Sequence, residues 1–144
     1  MTKKMTKNFR ILAEFVKDMS SETADAQTYM FVKENILKYH LDIDIKSMPL
    51  KNGLIEVNTS LKFEDKKEHE KKSHFEIVYA SIIKIEENIK DKEILEKIIL
   101  CDLQNEIYPN LEKAFLNLLH NSGFSEVKLE KKIDFNKLYE KKIN

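Results

Sequence analysis

Cys101 is the single cysteine of the 144-residue chain, and a thiol can attack an electrophile when a neighbouring base draws off its proton. No histidine is placed beside it by sequence, and it ends an apolar helical run, so a small buried hydrophobe is the simpler reading. His69 and His74, with Glu68 and Glu70 beside them, offer nitrogen and oxygen ligands of the kind zinc takes, but they bracket a charged run without a second ligand pair. No metal site is expected from them. Asp42 and Asp44 stand two apart, as an acid/base pair on one strand face would, yet that face reads as solvated. The lysine pairs at 66–67, 71–72, 131–132 and 141–142 could touch phosphate, but acids interleave with them and no aromatic platform accompanies them. No catalytic constellation emerges, no cofactor is implied, and the chain does not read as an enzyme.

Composition narrows the classes further. Basic and acidic residues number 25 each, so no overall field gathers nucleic acid or an anionic membrane. Two glycines and two prolines leave no phosphate-cradling glycine loop. Hydrophobic content of 42% with 35% charged residues fits one soluble domain, and no apolar run reaches the ~18 residues of a membrane span. The N-terminus MTKKMTKNF has charge without an apolar stretch behind it, which predicts a protein that stays in the cytoplasm.

The elements that must position any site follow from periodicity. Residues 1–8 read as a mobile arm, and residues 9–144 as a single domain. Apolar residues at Phe9, Ile11, Ala13 and Phe15 predict a strand over 9–17, followed by a polar connection over 18–25. Residues 29–38 show no clean period and are given no regular structure. Strict alternation in YHLDIDIK and again from Ile55 to Phe63 predicts two half-buried strands, joined through Asn52-Gly53. The run 65–73 is a charged loop. From Phe75 to Ile85 both faces carry apolar atoms, which predicts a strand central to its sheet. A short helix is expected over 92–100 with Asp91 as its cap, then a long amphipathic helix over 107–124 with Pro109 in its first turn and Gly123-Phe124 closing it. After Phe124 the chain is expected to run extended to Ile133, and a last short helix starts at Asp134. Four strands followed by helices give an α+β fold: a four-stranded antiparallel sheet with a long amphipathic helix and shorter helices on one side. Phe31, the strand faces, Phe124 and the stretch from Phe135 to Tyr139 leave more apolar surface than such a sheet hides, which implies oligomer contacts or a binding groove.

The stretches FRILAEFVKDMSSETADA, HLDIDI, FEIVYASI, the YPN before the long helix, the closing GF and the terminal DFNKLY occur in an order and spacing that resembles the SecB protein-export chaperones, nearly throughout Phe9 to Tyr139. The resemblance implies a cytoplasmic, ATP-independent holdase that binds unfolded presecretory proteins and passes them to the ATPase SecA. It also implies a homotetramer, a dimer of dimers, without nucleic acid or membrane insertion. By position it places a client-binding groove at Phe15, Leu41, Ile43, Phe124, Phe135, Leu138 and Tyr139, with plain core packing as the alternative for each. It places acidic contacts for the basic, zinc-bearing tail of SecA at Asp18, Glu22 and Glu76; the zinc belongs to the partner. The chain departs from the family pattern at His74, Asn35, Glu112 and the Ala80-Ser81 pair. Rival readings are a SecB-like chaperone dedicated to one client such as an antitoxin, a structural oligomer without a client, and a small enzyme or ligand-binding domain using Cys101 or the Asp42–Asp44 pair.

Overall fold

The computed structural model describes residues 8–67, 69–129 and 133–143. The arm expected over 1–8 therefore lies outside the described residues except for Asn8, and so does the lysine pair 131–132. Strands β1 (Phe9–Glu22), β2 (His40–Pro49), β3 (Leu54–Glu64) and β4 (His74–Ile85) form one antiparallel sheet in the order β1-β4-β3-β2. Helices α1 (Ala26–Asn35), α2 (Lys92–Lys97), α3 (Leu103–Asn121) and α4 (Phe135–Ile143) complete the chain.

β4 lies inside the sheet, as its double apolar pattern requires: Phe75, Ile77 and Ile83 are fully buried toward the helices, and Ala80 is fully buried on the other side. β2 and β3 pair from His40–Glu64 to Pro49–Ile55, so Leu41, Ile43 and Ile45 share the helix face with Phe63, Leu61 and Thr59. Their turn places both Asn52 (φ 64°) and Gly53 (φ 73°) in the left-handed region, the geometry that suits an Asn-Gly return.

The helix face is covered by α3. Its residues Leu103, Ile107, Leu111, Phe115 and Leu119 are completely buried against the sheet core, each such side chain contributing about 1.5–3 kcal/mol relative to exposure. The end of α3 closes as its sequence predicts. The Gly123 N–H donates to the His120 carbonyl (3.1 Å) and the Phe124 N–H to the Leu119 carbonyl (3.0 Å), with Gly123 at φ 99°.

Several expectations are corrected. β1 does not stop at Lys17 but continues to Glu22, because β4 gives its polar half a hydrogen-bonding partner up to the Glu22–His74 pair. Bulges between Ile11 and Ala13 and between Val16 and Asp18 break its alternation. Residues 26–38 are helical, first α1 and then a 3₁₀ turn over Ile36–Lys38. Asp25 caps α1 by accepting the Thr28 N–H (2.8 Å), which holds its carboxyl below the usual range, and the stripe facing inward is Thr28, Val32 and Ile36. The exposed Met30 and Leu37 blur that stripe in the sequence. The helix expected over 92–100 is capped by Asp91 as predicted (Glu93 N–H to the carboxylate, 2.9 Å), but it does not end. It passes through a π turn over Ile98–Asp102 straight into α3, so Pro109 sits inside α3 rather than in a first turn.

Ser81 is fully buried, and among the described residues its hydroxyl has no hydrogen-bond partner. An unpaired buried hydroxyl costs free energy. Ser81→Ala is therefore expected to leave stability unchanged or raise it by up to about 1 kcal/mol; a clear fall of the urea midpoint would contradict this.

Candidate functional site

The chemistry-bearing residues resolve first. The Cys101 thiol is buried and donates to the Asn136 side-chain oxygen (2.5 Å), and burial pushes its pKa up, the opposite of what an attacking thiolate needs. His69 pairs with Asp65, holding that carboxyl below its usual range, and lies edge-on to Phe31 at 5.2 Å. His74 stands 3.4 Å from Glu76 in a different element. Among the described residues no group of three or more His, Cys, Asp or Glu could hold a metal ion. Asp42 bonds Lys66 (2.5 Å), which draws its carboxyl downward, while Asp44 faces Lys46 at 4.0 Å. An acid/base pair needs two pKa values pushed apart, and this geometry makes two surface ion pairs instead.

The apolar residues build a different kind of site. Where β2 ends its cover by the core, Ile43 and Ile45 meet Leu100 from the π turn and Leu138 and Tyr139 from α4. They enclose a cleft of about 160 Å³ with Asp44 at its rim. Leu138 is 38% exposed, and the Tyr139 hydroxyl donates to the Glu93 carbonyl at 3.3 Å, tying α4 to α2. Leu41 continues the same face one pleat along β2.

The structure thus brings together Ile43, Leu138 and Tyr139, sets Leu41 beside Ile43 on the same face of β2, and leaves Phe15, Phe124 and Phe135 outside the lining of the cleft. Phe124 is completely buried, 5.1 Å from Tyr29 and 5.4 Å from Phe75 between ring centroids. Phe135 is 2% exposed and packs edge-on against Tyr108. Both are buried in the core: Phe124 follows the closure of α3, which turns its ring inward onto Tyr29 and Phe75, and Phe135 starts α4 against Tyr108. Phe15 is 43% exposed but sits on the open face of the sheet, opposite Ala80. The cleft is also lined by Ile45 and Leu100, which the sequence reading did not name. Ile45 carried the same alternation signal as Ile43; Leu100 carried none.

The open face holds the acidic set. Asp18 lies opposite Val78, Ser20 opposite Glu76 and Glu22 opposite His74, so Asp18, Glu22 and Glu76 project from neighbouring positions on one side of the sheet. Met19 and Ser21 in β1 and Phe75 and Ile77 in β4 point the other way. Nearby, Lys17 reaches from the second bulge across β4 to Glu56 on β3 (2.5 Å). Among the strands, exposed apolar surface concentrates on β1. Leu12, Phe15, Val16 and Met19, each between 42% and 49% exposed, run along β1, an edge strand of 14 residues.

A small antiparallel sheet backed by one long helix thus carries an apolar cleft on its helix side and an acidic row on its open side. The sequence matches the family Preprotein translocase subunit SecB over residues 2–144, and the chain belongs to the SecB family of protein-export chaperones. It is 57% identical over 140 residues to a protein of Pelagibacter ubique ascribed to protein-export SecB, covering 97% of this chain and all of that one. It is 23% identical to the protein-export protein SecB of Bartonella bacilliformis, covering 94% of this chain and 83% of that one. Its fold resembles that of the SecB-like chaperone of Mycobacterium tuberculosis, solved in complex with a ChAD peptide from the HigA1 antitoxin, with a TM-score of 0.62 at 12% identity over 88% of this chain and 91% of that one. Of the described residues, no helix is long and apolar enough to cross a membrane.

Proposed function

We propose that this chaperone is an ATP-independent cytoplasmic holdase that binds unfolded presecretory proteins through the cleft lined by Ile43, Ile45, Leu138 and Tyr139, with Leu41 extending the same face of β2, and delivers them to SecA through Asp18, Glu22 and Glu76. The observation that carries the reading is the placement of these two sets on opposite faces of one sheet. A client lying along the apolar side leaves the acidic side free, so binding and delivery do not compete. Release then needs no chemistry, because many weak apolar contacts are lost one at a time.

A homotetramer built as a dimer of dimers belongs to the same reading. An unpaired edge strand carrying Leu12, Phe15, Val16 and Met19 is a liability in a lone subunit and is removed when a second copy covers it. Phe15 is assigned to that seam rather than to the client cleft.

The test dilutes a chemically unfolded presecretory protein into buffer containing this protein without ATP. Refolding is expected to stall at about one oligomer per client, and Leu138→Ala with Tyr139→Ala to weaken the arrest by tenfold or more, as loss of ~1.4 kcal/mol would. Reversal of Asp18, Glu22 and Glu76 to lysine is expected to spare the arrest and abolish salt-sensitive SecA binding. Refolding at the unassisted rate even in excess chaperone would sink the holdase reading, and unchanged SecA binding by the charge-reversed variant would sink the docking assignment.

A further inference from the structure

We infer that the π turn over Ile98–Asp102 is the device that sets the client cleft, and that Leu100 is a client-contacting residue because of it; this rests on the holdase reading above. The inward stripe of α3 runs through Leu119, Phe115, Leu111, Ile107 and Leu103. Continued backward at the regular 3.6 residues per turn, it would direct Leu100 and Glu96 into the core. The π turn uses one residue more, with the Leu103 N–H bonded to the Ile98 carbonyl five residues back. The stripe is thereby re-phased: Ile98 goes inward at 1% exposure, Cys101 turns to meet Asn136 of α4, and Leu100 is left lining the cleft with Ile43, Ile45, Leu138 and Tyr139.

A second observation shows that the turn is held by a built-in support. Widening the helix leaves the Ile99 carbonyl without its usual partner, because the Leu103 N–H has gone to Ile98. The Gln104 side chain, fully buried, donates to that carbonyl (3.0 Å) and accepts from the Thr59 hydroxyl on β3 (3.0 Å). Thr59 is itself fully buried. A three-member polar chain inside an otherwise apolar core is costly unless every member is paired, and here each is. It latches the wide turn to the sheet strand next to β2, which supplies the opposite wall of the cleft.

The occupant that fits is one large aliphatic or aromatic side chain of an extended client segment. A volume of about 160 Å³ is too small for the ~300–1,000 Å³ of a typical small-molecule site. The cleft is open at the side, so the backbone carrying such a side chain need not enter it.

Two variants of the full-length protein test this in the refolding-arrest assay, each checked for native circular dichroism and thermal midpoint. Leu100→Asp, at a partly exposed position, is expected to keep the fold and to raise the chaperone concentration for half-arrest at least tenfold. Thr59→Val with Gln104→Leu replaces both side-chain members of the latch by apolar groups of similar shape, leaving the Ile99 carbonyl to recapture the Leu103 N–H as in an ordinary helix. It is expected to lose arrest to a similar extent and to lose slow amide exchange in α4. The alternative occupant, a second copy of the chain, is checked by sedimentation: a Leu100→Asp protein that falls apart into smaller oligomers would overturn the inference. So would a Leu100→Asp protein that arrests refolding like the wild type while Tyr139→Ala does not, a result that leaves the holdase reading intact. A wild-type protein that arrests nothing would remove both.

Discussion

Phe124→Ala is expected to destabilise the protein by about 3–5 kcal/mol, the range for removing a buried aromatic side chain, and not to act as a selective lesion in client binding. The ring is completely buried and joins Tyr29 of α1 to Phe75 of β4, so its loss opens a cavity at the point where the crossover helix, the central strand and the end of α3 meet. α1 cannot move in to fill the space, because Tyr29 is held by its hydroxyl on the Gly123 carbonyl (2.6 Å). At this chain length the cost corresponds to a fall in Tm of roughly 10–15 °C. Urea unfolding with the midpoint lowered and the slope unchanged checks it. Leu138→Ala provides the contrast: that side chain is 38% exposed, so its truncation is expected to cost about 1 kcal/mol or less while weakening refolding arrest. A Phe124→Ala protein within 1 kcal/mol of wild type would show that the aromatic cluster does not carry the fold at this corner.

Gly123→Ala is the second large effect, expected at about 2–4 kcal/mol from two sources that act together. The residue stands at φ 99°, where any side chain is strained, and an added Cβ would lie 2.7 Å from the Cε1 atom of Tyr29. The clashing atom belongs to a ring fixed by stacking on Phe124 and by its hydrogen bond to Gly123 itself, so relief means breaking both. Gly53→Ala separates the contributions. Its φ of 73° is also left-handed, but nothing lies within 4 Å of an added Cβ, so only the backbone cost of about 1 kcal/mol is expected. Equal losses for the two variants, measured by chemical unfolding, would refute the steric contribution of Tyr29.

The parts of the fold legible in the sequence are those where one physical requirement acts alone. β2 and β3 each turn their apolar side chains to the helix face and their polar ones to the open face, and their alternation reports that directly; Asn52-Gly53 marks the turn because only such residues tolerate two successive positive φ values. The apolar atoms on both sides of β4 report its place inside the sheet. The Gly123-Phe124 closure and the Asp91 cap were legible for the same reason, being local hydrogen-bonding solutions with few alternatives. The polar half of β1 was not, since Ser20, Ser21 and Glu22 become strand only because β4 offers them a ladder. α1 was obscured by Met30 and Leu37, which are apolar and exposed.

The candidate site divides in the same way. Order and spacing of family-like stretches indicated the chaperone class and, through that resemblance, Leu41 and Ile43, while strand alternation showed only that these two share one face of β2 and that Asp42 and Asp44 share the wet one. Local pattern cannot say which apolar side chain is covered, because burial is set by residues distant in sequence. Thus Phe124 and Phe135 became core, Phe15 went to the open face and the sheet edge, and Leu100 entered the cleft. The sequence by itself determined the strands with a wet face, the helix ends, the α+β class and the family. The tertiary structure alone decided the phase of the long helix, since one extra residue in a π turn is invisible to a periodicity of 3.6 and becomes favourable only when Gln104 and Thr59 meet across the core to hold it.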